Sequence, residues 1–308
     1  MKKVFLAAVA VVGMLTSCST QTDVVQSEVH GDYTQYVNPL MGTQSSFELS
    51  TGNTYPAIAM PWGMNFWTPR TNKIGDGWQY TYTANKIYGF EQTHQPSPWI
   101  NDYGQFSLMP VTGEVEMDER KRASWFSHKG EIALPHYYKV YLAEYDVVTE
   151  MAPTERASMF RFTFPDADSY VVVDAYDRGS SIKVIPEENK IIGYTTRNSG
   201  GVPENFKNYF VVVFDKPFTY KATFSNDVKP AKPDATVPVT LKEGQLEQTN
   251  FHTGAVIGFK TQKGEKVHAR VASSFISPEQ AELNLKELAN DNFDTIVEKG
   301  KNRWNEVL

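Results

Sequence analysis

The sequence holds a single cysteine, Cys18, in 308 residues, so no internal disulfide can brace the fold. It has no basic excess: 30 Lys and Arg stand against 36 Asp and Glu, a formal net charge of −6. The two signs are interleaved, and no basic patch alternates with aromatics, which argues against nucleic acid as a partner. Apart from an apolar run at 4–15, no segment is apolar enough to be considered as a membrane span. Low-complexity blocks and clear repeats are missing too. There is no phosphate-binding Walker loop, no dinucleotide Gly fingerprint and no Gly-x-Ser-x-Gly elbow. The histidines at 30, 94, 128, 136, 252 and 268 show no zinc-motif spacing, so a protein-only metal site is unsupported. Strands and helices do not alternate, which argues against a doubly wound fold.

What is present begins at the N-terminus. Lys2 and Lys3 precede the apolar run 4–15, which is shorter than the roughly 20 residues a spanning helix needs. This reads as an export signal over 1–17, set aside in fold reasoning. Leu15-Thr16-Ser17-Cys18 matches a bacterial lipobox, and lipid attachment gives the lone Cys18 a use. The competing reading is an ordinary signal with a chance cysteine. Residues 18–32 are polar and patternless, as a lipidated tether would be. The expected location is the bacterial cell envelope, facing either the outer membrane surface or the periplasm.

The densest signal lies at 52–104. Eleven of these 53 residues are aromatic, only six are charged, and four of the six Trp fall here: Trp62, Trp67, Trp78 and Trp99. Gly and Pro interrupt the stretch too often for a plain run of strands. Flat aromatic faces beside polar groups suit sugar rings, but they suit the core of an irregular β-domain as well. Its carboxylates are Asp76, Glu91 and Asp102, and glycoside hydrolysis needs two carboxyl groups. Glu91 and Asp102 could take part, or could hydrogen-bond loop backbone. His94 could donate to a sugar hydroxyl or be a satisfied structural His. Trp78 follows a Gly-flanked turn that can present its ring. Arg70 could clamp hydroxyls, though a surface salt bridge is the plainer reading.

From 105 to 275 short β-rich runs follow at near-regular spacing: 106–111, Tyr137–Leu142, 145–150, Ala157–Phe164, 170–175, 191–196, 209–214, 218–224, 255–259 and 267–274. The fold class this predicts is mainly β, a large antiparallel β-sandwich over 33–275. Ser277-Pro278-Glu279-Gln280 then reads as an N-cap, a Pro at the first helical position and a capping-box Gln. Helices over 276–308 form a C-terminal linker, the second starting near Asp294 with Ile296, Val297, Trp304, Val307 and Leu308 as apolar positions. Trp304 and Leu308 are expected to lack a packing partner within this chain.

Ordered blocks resemble glycoside hydrolase family 92, exo-acting α-mannosidases of gut Bacteroidetes. They are Tyr36-Val37-Asn38-Pro39-Leu40-Met41-Gly42-Thr43, Gly52-Asn53-Thr54-Tyr55-Pro56 with Met60-Pro61-Trp62-Gly63-Met64, and Ile87-Tyr88-Gly89-Phe90 with Thr93-His94. Asp102-Tyr103-Gly104 with Leu108-Met109-Pro110 follows, then Ala152-Pro153-Thr154-Glu155-Arg156 and Trp304-Asn305-Glu306. The resemblance implies an N-terminal sandwich leading through helices to an (α/α)6 barrel that holds the catalytic carboxylates. It implies inversion, a calcium ion in the full-length enzyme, and mannose-containing glycans, N-glycans among them, as partners. The catalytic acid and base would then lie outside this chain, which alone would be inactive. Trp78, His94, Trp99 and Asp102 match loops that line the substrate pocket, so the resemblance makes them candidate sugar contacts. Where many members carry a Ser/Gly-rich run after the Thr-His pair, this chain has Gln95-Pro96-Ser97-Pro98-Trp99, and two prolines stiffen that loop. A lipid-anchored glycan-binding protein that works without catalysis is the alternative reading, and a purely structural domain a third.

Overall fold

A computed structural model describes residues 31–44, 54–72, 79–95, 102–226, 228–229 and 237–308. Among these, two large antiparallel sheets face each other. The seven-stranded sheet runs Phe66–Arg70, Gly89–Thr93, Ser107–Thr112, Ala167–Asp174, His252–Thr261, Tyr220–Asn226 and Thr240–Glu243. The nine-stranded sheet runs Glu247–Asn250, Ser180–Ile185, Lys190–Thr195, Asn208–Phe214, Glu265–Ser274, Ala157–Phe164, Val147–Pro153, Tyr137–Leu142 and Ile132–Leu134. A small ribbon pairs Lys86–Ile87 with Ser124–Trp125. The predicted antiparallel sandwich is the observed architecture.

Strand periodicity explains how the layers form. In Tyr137–Leu142, Tyr138, Val140 and Leu142 point into the core while Tyr137, Lys139 and Tyr141 point out. Aromatic rings join the sheets across the middle. Trp67 meets Phe160 edge-on at 5.2 Å, and Phe106 stacks on Phe210 at 4.5 Å. The strand Ala157–Phe164 serves two cores. Phe160 and Phe162 belong to the inter-sheet core, and Met159 to a second cluster beneath the helices.

Two helices cover that outer face of the nine-stranded sheet: α1 (Pro278–Leu285) and α2 (Phe293–Asn305). Ala281, Leu288, Phe293 and Ile296 pack there against Ala152, Val211 and Ala272. Ser277 caps α1 by accepting from the Gln280 amide at 3.2 Å. The Gln280 side chain does not close the box; it bonds Asn284 Oδ1 at 2.9 Å within the helix. Asn292 caps α2 in the same manner as Ser277 caps α1.

The expectation for the chain's last helix needs correction at Trp304. Its indole N–H donates to the Ala59 carbonyl at 2.8 Å, and Asn305 Oδ1 accepts from the Tyr33 amide at 2.8 Å. Gly300 lets α2 approach this closely, because a Cβ there would sit 3.0 Å from His136 Cβ. The helix therefore has a partner in the segment preceding the first strand. Leu308 does stay exposed, at 53% of its surface.

Candidate functional site

Strand register gathers one set of loops at one end of the sandwich. Glu91 lies opposite Ser107, Ser107 opposite Asp174, and Asp174 opposite Gly254. In the other sheet Ser180 and Asn208 both lie opposite Thr195. The turn from Asp174 to Ser180 crosses between the sheets, so the connections after Thr93, Asp174 and Thr195 emerge together. Polar side chains are buried beneath them.

Arg70 is the hub. It is 1% exposed, not the surface salt bridge its position suggested. Its guanidinium lies 3.2 Å from Glu91 and 2.8 Å from Glu119, and it donates to the Asn72 carbonyl and to the Tyr176 hydroxyl. The Glu91 contact is close but misaligned, leaving Arg70 Nε and Glu91 Oε2 without a hydrogen bond. Among the described residues the other oxygen of Glu91 gets only a long 3.5 Å donation from Gln105. Burial therefore dominates over the Arg70 charge and pushes the Glu91 carboxyl up to about 8.

Tyr176 is held at φ +61°, a left-handed conformation that is costly for a bulky residue. The Asp174 carboxylate accepts from its amide at 3.0 Å, and its hydroxyl is 2.6 Å from Ser107 Oγ. Asp174 itself takes donations from Arg122 and His252, each at 2.7 Å. These offset the penalty of full burial and hold its carboxyl well below the usual range, with His252 the larger influence. The strained turn places Asp177 against the buried Arg197. Burial lowers the Arg197 guanidinium, with Glu91 and Tyr176 pulling the other way.

The predicted residues sort in two groups. Trp78 and Trp99, like Cys18, lie outside the described residues. His94 and Asp102 are brought together. The Asp102 carboxylate accepts the His94 backbone amide at 2.9 and 3.1 Å, so it braces the ends of its own loop. Its carboxyl is raised, mainly by burial. His94 Nδ1 is 2.8 Å from the Tyr103 carbonyl, which makes that nitrogen the protonated one. Burial lowers the His94 pKa, so the ring is neutral near pH 7 and Nε2 carries a lone pair. That Nε2 is buried without a hydrogen-bond partner among the described residues. Phe275 packs on the ring at 4.7 Å. Next to it Gly104, at φ +68°, lies so close to Asn208 that a Cβ would come within 2.4 Å, and Asn208 bonds its carbonyl at 2.7 Å.

The sequence reading missed Arg197, Tyr176 and Asn208. One local signal was available: Asp177-Arg178-Gly179 is a turn sequence wedged between two hydrophobic runs. The aromatic stretch also splits. Tyr55, Trp67, Tyr80 and Phe90 are core, whereas Trp62 is 86% exposed. Among the described residues no group of three or more His, Cys, Asp or Glu side chains is placed to hold a metal ion.

Fold and site together define an antiparallel β-sandwich domain with a buried polar layer under one set of loops. The chain belongs to glycosyl hydrolase family 92: the family model "Glycosyl hydrolase family 92 N-terminal domain" matches residues 36–274. Among solved structures it is similar to the family GH92 inverting mannosidase BT2199 from Bacteroides thetaiotaomicron. Identity is 46% with a TM-score of 0.82, over 89% of this chain and 36% of that one. The GH92 α-mannosidase BT3965 from the same organism is 30% identical, with a TM-score of 0.77, over 90% and 37%. A GH92 hydrolase, ccman5, shares the fold at 24% identity and a TM-score of 0.68, over 89% and 37%. The chain thus spans a little over a third of the length of these relatives. No curated protein matches it.

Proposed function

We propose that this chain is the N-terminal sandwich of an inverting α-mannosidase and forms one wall of its sugar pocket. The acid, the base and the calcium belong to an (α/α)6 barrel joined in cis, and mannose-containing glycans are the substrate. The 46% identity to an inverting mannosidase supports the reaction class. The observation that carries the pocket-wall role is His94 Nε2, a buried acceptor with no partner among the described residues. Such a group costs about 1–3 kcal/mol unless something donates to it, and a sugar hydroxyl is a donor of the right kind. Trp78 and Trp99 are the ring faces expected beside it. Two carboxylates argue for catalysis elsewhere. Glu91 is fully buried under Arg70, and Asp102 is occupied by the His94 amide, so neither faces a glycosidic oxygen.

A chimaera tests this reading. This chain replaces the equivalent third of BT2199, and hydrolysis of an aryl α-mannoside is measured. Activity is expected to survive the exchange, and His94→Ala in the chimaera is expected to lower kcat/KM by about tenfold or more. A chimaera that folds with an unchanged melting temperature yet cleaves nothing would overturn the proposal. Turnover by the 308-residue chain alone would overturn the placement of the carboxylates. Anchoring through Cys18 is part of the same proposal; Cys18→Ala is expected to move the protein out of the membrane fraction.

A further inference from the structure

A second concavity lies away from the loop end. It is a cleft of about 260 Å3 between the outer face of the nine-stranded sheet and the turn that joins α1 to α2. Met159, Val213 and Phe293 supply apolar wall. Around them stand Arg270, Asp291, Asp215 and His268. Asp215 accepts from His268 twice, from its backbone amide at 2.8 Å and from Nδ1 at 2.6 Å. Asp291 takes Lys299 on one oxygen at 2.6 Å. Arg270 is only part-exposed, and among the described residues no carboxylate lies within ion-pair distance of it. A guanidinium has five donors in a fixed fork, and among the described residues those of Arg270 are paired with neither of the carboxylates that line the same cleft, Asp215 and Asp291.

The chemistry of the walls selects the occupant. Formal charges nearly cancel: two carboxylates stand against Arg270 and the Lys299 that pairs with Asp291, and the His268 ring, whose Nδ1 is taken by Asp215, adds a further polar wall. A strong anion would meet two carboxylates, and a cation would meet Arg270. A neutral ring bearing several hydroxyls satisfies both kinds of wall, since each hydroxyl donates and accepts. Its C–H face suits the Met159, Val213 and Phe293 surface. The volume is below the roughly 300–1,000 Å3 of drug-sized sites, which fits one ring and not a chain. We infer that this cleft is a monosaccharide-binding site, separate from the loop end and formed wholly within this chain. It does not rest on the mannosidase reading: none of the side chains that line it belongs to the loop-end cluster around Arg70 and His94.

The test uses the 308-residue chain labelled with 13C-methyl methionine. The Met159 signal, assigned with Met159→Leu, reports this cleft alone. Mannose, glucose and galactose are titrated separately, with inorganic phosphate and glycine as charged controls. At least one of the sugars is expected to shift the Met159 signal saturably. Arg270→Ala is expected to weaken that titration about tenfold, the loss of one charged hydrogen-bonding partner. Asp291→Asn should weaken it too, and His94→Ala should leave it unchanged. Arg270→Ala is expected to keep the wild-type melting temperature, because no ion pair is lost. A Met159 signal unmoved by any of the sugars overturns the inference, as does a titration equally strong in Arg270→Ala and Asp291→Asn. A signal moved by phosphate or glycine and not by sugar overturns the ligand class.

Discussion

Glu91 and Arg70 show what a buried, imperfectly aligned ion pair does to a protein. The carboxyl is raised to about 8, against an ordinary value of 4.5. Between those two pH values the folded chain holds a proton that the unfolded chain has released. Stability from this group is therefore complete below about pH 4.5 and falls as pH rises toward 8, by roughly 1.4 kcal/mol per pH unit. Glu91→Gln removes the titration and keeps the shape. Urea midpoints at pH 5, 6.5 and 8 are expected to fall less steeply for this variant than for the wild type; parallel curves would refute the assignment. Arg70→Ala acts differently, because it empties a fully buried guanidinium site and takes a donor from the Tyr176 hydroxyl. A loss of about 2–5 kcal/mol in urea unfolding is expected at pH 6.5, from the buried space left empty, and adding Glu91→Gln should change that loss little there, because the Glu91 carboxyl, raised to about 8, is already protonated.

At the scale of elements, α1 and α2 are not a bare linker but a third layer on the sandwich. Ile296 is buried against the sheet, so Ile296→Ala is expected to cost about 2–5 kcal/mol, read as a lower urea midpoint. A midpoint change near zero would mean that the helices dock only loosely. This layering also marks how far the sequence could be read. Strands with clean alternation, such as Tyr137–Leu142, were legible to the residue because one face is core and the other is not. Ser180–Ile185 was missed: its inward residues are only Ser180, Ile182 and Val184, and it follows the strained turn at Arg178. Thr240–Glu243 and Glu247–Asn250 were missed because they are polar edge strands, whose hydrogen bonds no hydrophobic pattern announces. Phe66–Arg70 hid behind Pro69, which an edge position tolerates. At the site, the local pairing of Asp102 with His94 spans eight residues and could be suspected from the sequence. The Arg70–Tyr176 contact spans 106 residues and could not, since tertiary pairing of polar groups leaves no periodic trace.

For the molecule as a whole, the question is what covers its exposed apolar surface. Tyr36, Met41, Trp62 and Ile276 are each largely exposed, and since single exposed apolar side chains are ordinary, each is a candidate contact to be tested by itself. Trp62 is the sharpest case. It holds φ +64° in the turn before the first strand, and nothing in the described residues buries the ring that this conformation displays. A non-glycine residue in that region costs about 1 kcal/mol or more, so the position is maintained at the expense of the isolated domain's stability. Trp62→Gly relieves the strain and is expected to raise the urea midpoint of the 308-residue chain, by about 1 kcal/mol in stability. The same change in the BT2199 chimaera is expected to act in the opposite direction, lowering its melting temperature, because the ring would then be covered by the following domain. Opposite signs in the two backgrounds identify Trp62 as an interdomain anchor. A gain in both would instead make the ring an ordinary exposed side chain on a strained turn, and would move the search for the domain contact to Tyr36, Met41 and Ile276.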